Sequence, residues 1–107
     1  MGDLFRGTLD MLILRTLQGG PAHGFAIVQS IASRSDDVLL VEEGSLYPAL
    51  RRLEDRGLVT FAWATTANNR RARFYSLTRR GLRHLDDERD RWIELVAAIA
   101  RVRESQS

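Results

Sequence analysis

The sequence predicts a mainly α-helical domain in which three helices lead into a two-stranded hairpin and then into one long helix. Two observations carry this. Apolar residues recur at spacings of three and four in four separate segments, while only the pair "LVTFAWA" and "ARFYSL" is rich in β-branched and aromatic residues. Between these segments stand the residues that stop helices or start them: Gly19-Gly20-Pro21, Asp36-Asp37, Gly57 and Thr78.

Each element follows in order. "DLFRGTLDMLILRTLQGG" opens at a candidate cap, Asp3, and ends at the glycine pair. Its apolar residues Leu4, Phe5, Leu9, Met11, Leu12, Ile13, Leu14 and Leu17 form more than one stripe, so this helix is expected to touch two surfaces. "AHGFAIVQSIASRS" places Phe25, Ile27, Val28 and Ile31 at helical spacing. "VLLVEE" is either a brief extended segment or a packed loop. In "GSLYPALRRLEDRGLV", residues 44–59, Leu46, Leu50 and Leu53 make a core stripe and Gly57 ends the helix. If Ser45 is the cap, Pro48 falls in the first turn, where a missing N–H is harmless; if the helix begins nearer Glu42, Pro48 should bend it slightly. The hairpin turns through "TTANNRR", and Thr78 is a natural cap for "RRGLRHLDDERDRWIELVAAIARVR". A helix of about 25 residues is ~37 Å long, more than a three-helix core can cover. Its seam of Leu82, Leu85, Trp92, Val96 and Ile99, with Arg89 and Arg103 at the remaining seam positions, is thus half unpartnered. The expected partner is a second copy, joined through Leu9 and Leu12 of the first helix and Leu85, Trp92, Val96 and Ile99 of the last.

Composition narrows the function. A chain of 107 residues, 44% apolar, supports one core that buries roughly 65% of the unfolded surface. No apolar run reaches the ~18 residues of a membrane span, so no membrane partner is expected. Asp3, Arg6 and Asp10 interrupt the first apolar segment, which disagrees with a secretory leader, and the absence of cysteine removes disulfides and thiolate sites; both point to the cytoplasm. All 16 cations are arginine. They are unevenly placed: residues 44–83 hold nine arginines against two acids, a net +7, whereas residues 1–43 hold three against six and residues 84–107 four against six. A basic middle between acidic ends reads as an anion-facing surface. His23 and His84 are the only histidines, no metal-ligand set or nucleophile–base pair is visible, and neither cofactor nor enzyme activity is expected. His23 reads as a capping or packing residue.

Helix, helix, helix, hairpin is the order of the winged helix-turn-helix, whose third helix enters the DNA major groove while the wing follows the backbone. On the third helix, Pro48, Arg51, Arg52 and Asp55 oppose the core stripe, with Ser45 and Tyr47 on its flanks. A small residue and a proline let the backbone approach the duplex, and arginine offers paired donors to guanine or phosphate. Tyr47 suits either a phosphate hydrogen bond or packing against the domain. Arg70, Arg71 and Arg73 beside the wing tip are candidate phosphate ligands, and Arg79, Arg80 and Arg83 could extend the basic surface.

The blocks "GTLDMLILRTL" and "GPAHGFAI", then "EEGSLYPALRRLEDRGLV", then "NNRRARFYSLTRRG", spread over nearly all of the chain, resemble the PadR family of transcriptional regulators, in its short subgroup with a single C-terminal helix. The resemblance implies a dimeric repressor on double-stranded DNA, with Ser45, Tyr47 and Pro48 at the DNA-facing start of the recognition helix and Arg70, Arg71 and Arg73 in the basic wing. Phe25 and Phe74 stand where the family commonly has tyrosine, and Arg73 where it often has lysine. The implied division is a DNA-binding domain over residues 1–78 and a dimerisation helix over residues 79–107. Trp92 admits two readings: a tryptophan packed at the dimer seam, which is favoured, or the wall of a pocket for a small hydrophobic or aromatic effector. The rival function is a protein-binding winged helix, which would carry an apolar rather than an arginine-lined face on its third helix.

Overall fold

The computed structural model describes the backbone of residues 2–105 and the side chains of residues 7–105. Its elements run in the expected order: α1 Gly2–Leu17, α2 Gly24–Arg34, α3 Glu43–Asp55, β1 Val59–Thr65, β2 Arg71–Leu77 and α4 Arg79–Glu104. Because α1 already includes Asp3, that residue lies inside the helix rather than at its cap; its side chain, with those of Leu4, Phe5 and Arg6, is outside the described residues.

α1 is the hub. Ile13, Leu14 and Leu17 meet Ile27 and Ile31 of α2 and Leu46, Leu50 and Leu53 of α3 in one core, closed by Tyr75 from β2 and Leu85 from α4. Within a single chain the described part of α1 packs against α4 as well as against α2 and α3. This corrects part of the expected dimer seam: Leu9 and Leu85 are each 5% exposed and belong to the monomer core, with almost no surface left for a partner. Leu12 and Trp92 are half-buried against the same core.

Local chemistry sets the ends of each element. α2 starts on His23, whose Nδ1 accepts from the Ala26 N–H at 3.3 Å, and whose ring meets Phe74 edge-on at 5.1 Å; the histidine caps and packs, as expected. It ends before Asp36 and Asp37, both at positive φ. Residues 38–41 form a loop without strand pairing, and Val38 and Leu40 are exposed. α3 begins at Glu43 after the Glu42 cap, so Ser45 lies inside the helix and Pro48 in its second turn, where it has no N–H to give the Gly44 carbonyl. The helix closes with Gly57 at φ 74°, Gly57 N–H to the Glu54 carbonyl at 2.9 Å and Leu58 N–H to the Leu53 carbonyl at 2.9 Å, a Schellman stop that needs a glycine.

β1 and β2 pair antiparallel from Val59 opposite Leu77 to Thr65 opposite Arg71. Ala22 extends this sheet by one bridge, exchanging both backbone hydrogen bonds with Tyr75 at 3.0 and 2.9 Å. Thr78 then ties the hairpin to α4. Its Oγ1 donates to the Gly57 carbonyl at 2.7 Å and accepts from the Gly81 N–H at 2.9 Å, while its own N–H donates to the Leu58 carbonyl at 3.1 Å. Gly81 is buried against this knot, and a Cβ there would overlap the Leu58 carbonyl oxygen.

Twenty-six residues make α4 ~39 Å long. Only the stretch up to Trp92 packs on the core; beyond it Ile93, Val96, Ile99 and Val102 are exposed, Val96 at 58% and Ile99 at 54%. The Cα radius of gyration is 15.0 Å, against ~13 Å for a compact chain of this length, because the distal helix runs free.

Candidate nucleic-acid interface

The outer side of α3 presents Ser45, Tyr47, Pro48 and Arg51 to solvent, because Leu46, Ala49, Leu50 and Leu53 take the opposite side into the core. Tyr47 lies across the start of α2. A Cβ at Gly24 would come within 2.9 Å of the Tyr47 hydroxyl oxygen, so glycine at that position is what admits the ring, and 49% of Tyr47 remains exposed. Both chemical readings of this tyrosine therefore have a geometric basis: one part packs and the rest faces out.

Arg52 behaves differently from Arg51. Its Nη2 donates to Asp10 Oδ1 of α1 at 3.0 Å, in a pair whose side chains are 32% and 14% exposed, and its Nε is buried without a hydrogen-bond partner. The sequence expectation put both arginines on one solvated face. In the fold Arg52 turns back and clamps α3 to α1, since the i+1 step swings it toward the Ala49 side of the helix. Replacing Asp10 with asparagine is expected to lower stability by about 1–2 kcal/mol in a denaturant titration, because a half-buried guanidinium then lacks its counter-charge. An unchanged midpoint would make the pair incidental.

On the wing, Arg70, Arg71 and Arg73 are exposed. Arg71 and Arg73, two residues apart on one strand, share a face with Phe61 and Trp63. The Arg73 guanidinium sits over Phe61 at 4.5 Å and over Trp63 at 5.4 Å, and that of Arg71 over Trp63 at 5.3 Å. Phe61 and Trp63 are not among the residues that the sequence pattern marks for the interface. Their alternation in "VTFAWAT" was visible, but the register that sets Arg73 opposite Trp63 depends on the turn.

The two separated segments converge. Tyr47, Arg71 and Arg73, with Gly24, Ala72 and Tyr75, line one cleft of about 350 Å³ between the start of α2, α3 and the wing. Arg80 and Arg83 do not join it. With Arg56, His84 and Asp87 they line a second cleft of about 300 Å³, at the C-terminal end of α3. A third, of about 430 Å³, opens between α1 and α4, walled by Trp92 with Met11, Arg15, Leu85, Asp86 and Arg89. Among the described residues no group of three or more histidines and acids is placed to hold a metal ion, and no helix is long and apolar enough to cross a membrane.

Solved structures share this architecture. The chain is 35% identical to a PadR-family transcriptional regulator from Eggerthella lenta, with 97% of this chain and 88% of that one aligned and a TM-score of 0.76. A transcriptional regulator from Clostridium thermocellum aligns at 26% identity and TM-score 0.80, over 94% and 95% of the two chains. At 20% identity, a crystal structure from Thermoplasma acidophilum shares the fold over 98% and 99% of the chains, with TM-score 0.84. The winged helix-turn-helix with its C-terminal helix is thus this chain's fold, and DNA-binding regulation of transcription is its class of function. Residues 13–87, from the last turns of α1 through α3 and the wing into α4, match the PadR-like transcriptional regulator model, and the chain belongs to that family.

Proposed function

We propose that the protein is a sequence-specific repressor that binds a pseudo-palindromic operator as a homodimer. The carrying observation is the shared cleft: Tyr47 of α3 and Arg71 and Arg73 of the wing, distant in sequence, border one concavity beside the exposed Ser45, Pro48 and Arg51. In this reading residues 1–78 bind DNA and residues 79–107 dimerise. α3 enters the major groove, Arg51 reads a base or holds a phosphate, and the wing arginines hold the flanking backbone. Arg52 acts indirectly, by holding α3 against α1. The exposed Ile93, Val96 and Ile99 of distal α4 meet the same residues of a second copy, setting the two recognition helices ~34 Å apart on one side of the duplex. The protein then works in the cytoplasm, where the DNA is.

The rival, a protein-docking winged helix, lacks its distinguishing mark, since beside Tyr47 and Pro48 the outer side of α3 carries Ser45, Arg51 and Asp55 rather than a continuous apolar patch. An effector reading has one supporting observation, the cleft walled by Trp92 at the point where α4 leaves the core. A hydrophobic compound seated there would bias the direction of the distal helix and with it the spacing of the two α3 helices.

The test is a mobility shift on DNA upstream of the protein's own gene, repeated as salt rises. Four phosphate contacts per subunit give log K against log salt a slope of about −7 for the dimer. Arg51→Ala is expected to cost about 1–3 kcal/mol, with relaxed sequence preference if the residue reads a base and an even loss across sequences if it holds phosphate. A slope near zero ends the proposal.

A further inference from the structure

We propose that Trp63 is a positioning residue for DNA binding by the wing, holding the guanidinium groups of Arg71 and Arg73 in a set row before a duplex arrives. This rests on the DNA-binding reading above. Trp63 is a large aromatic residue left 52% exposed on a hairpin whose neighbouring residues Ala62, Ala64 and Thr65 are small. Packing against the core does not explain it; its partners are other wing residues. Buried Tyr75 meets Phe61 at 5.8 Å, Phe61 meets the edge of Trp63 at 6.1 Å and 88°, and the two arginines lie over these rings. A chain of aromatic contacts therefore runs from the core toward the wing tip, and each guanidinium rests on it.

This arrangement suits a phosphate-binding wing. All five donors of a guanidinium lie in its own plane, so a ring beneath its face takes none of them and leaves every N–H for phosphate oxygens. An arginine side chain is among the costliest to immobilise, and support that exists in the free protein removes that cost from the binding step. Strand geometry keeps the two arginines on one face about 7 Å apart. The rings thus do for the wing what Asp10 does for α3: they hold a cationic element in place without touching the DNA.

The test uses Trp63→Ala and Trp63→Phe in the full chain, on a duplex selected from a random library by the unsubstituted protein. Trp63→Ala is expected to weaken binding by about five- to a hundred-fold per half-site, because two arginine side chains in each subunit must then be ordered on binding. The salt slope should not change, because the number of phosphates neutralised is the same; Arg71→Ala, by contrast, reduces the slope by about 2 for the dimer. Trp63→Phe keeps a ring and should recover most of the affinity. In the DNA-free protein, upfield ring-current shifts of the Arg71 and Arg73 side-chain NMR signals should diminish in Trp63→Ala while the chain still unfolds in one cooperative transition, its midpoint lowered by only a few degrees. Unaltered affinity in Trp63→Ala overturns this proposal alone, as does a slope that falls with it. Ring-shifted arginine signals in a protein that selects no duplex overturn the regulator reading and this one together.

Discussion

Gly81→Ala is expected to destabilise the chain by about 3 kcal/mol, at the upper end of the range for overpacking a well-filled site. The added methyl would enter the space of the Leu58 carbonyl oxygen and press on the Leu77 side chain at 3.2 Å, and neither a backbone carbonyl nor a helix fixed at its first turn can yield easily. Relief requires moving the start of α4, which breaks the Gly81 N–H bond to Thr78 Oγ1 and weakens the bond from that hydroxyl to the Gly57 carbonyl. For a domain of this size the thermal midpoint should fall by roughly 12–20 °C. Gly7→Ala is the control. Gly7 is exposed, inside α1, with nothing within 4 Å of a new Cβ, so the same chemical change there should raise stability by up to about 1 kcal/mol. Denaturant titration of both variants decides the matter, and equal effects would mean that the contact at Gly81 is not what constrains α4.

The second large effect concerns assembly. Val96→Glu combined with Ile99→Glu places two carboxylates on the exposed stripe of distal α4, beyond the last packing against the core at Trp92. The monomer should fold as before, because neither side chain is buried in it. Light scattering is expected to report two chains for the unsubstituted protein and one for the variant. Affinity for a two-half-site duplex should drop by about 10²–10⁴-fold, the advantage of a linked second binding event, while affinity for one half-site stays within a few-fold. A dimer that survives both carboxylates would move the subunit contact elsewhere on the chain.

These predictions separate what could be read in the sequence from what could not. Local signals were legible: Gly57 as the end of the recognition helix, Thr78 as the cap of α4, His23 as a cap and packing residue, and the two strands on either side of a polar tip. Each follows from a short stretch of chain and from backbone chemistry that neighbours do not override. What escaped was pairing across long separations. Arg52 and Asp10 are 42 positions apart, so from the sequence Arg52 reads as a second DNA-facing arginine beside Arg51. The several apolar stripes of α1 were assigned in part to a second copy because nothing in a linear pattern tells whether α4 folds back over them. Leu85, buried in the core beside Met11, shows that it does. Gly81 passed without notice for the same reason: a glycine in the first turn of a helix looks unremarkable until the Leu58 carbonyl lies against it. For the interface, the arginines were visible as charge, whereas the rings beneath two of them depend on a strand register that only the turn decides.

The Ala22–Tyr75 bridge carries one more consequence. Ala22 leads within two residues to Gly24, on which Tyr47 rests, while Tyr75 belongs to the strand that bears Arg71 and Arg73. On the proposed reading, the groove-reading and flank-holding parts are therefore tied at a common joint. Tolerance for imperfect target sites is then expected to come from curvature of the double helix or from the angle between subunits more than from a stretch within one of them.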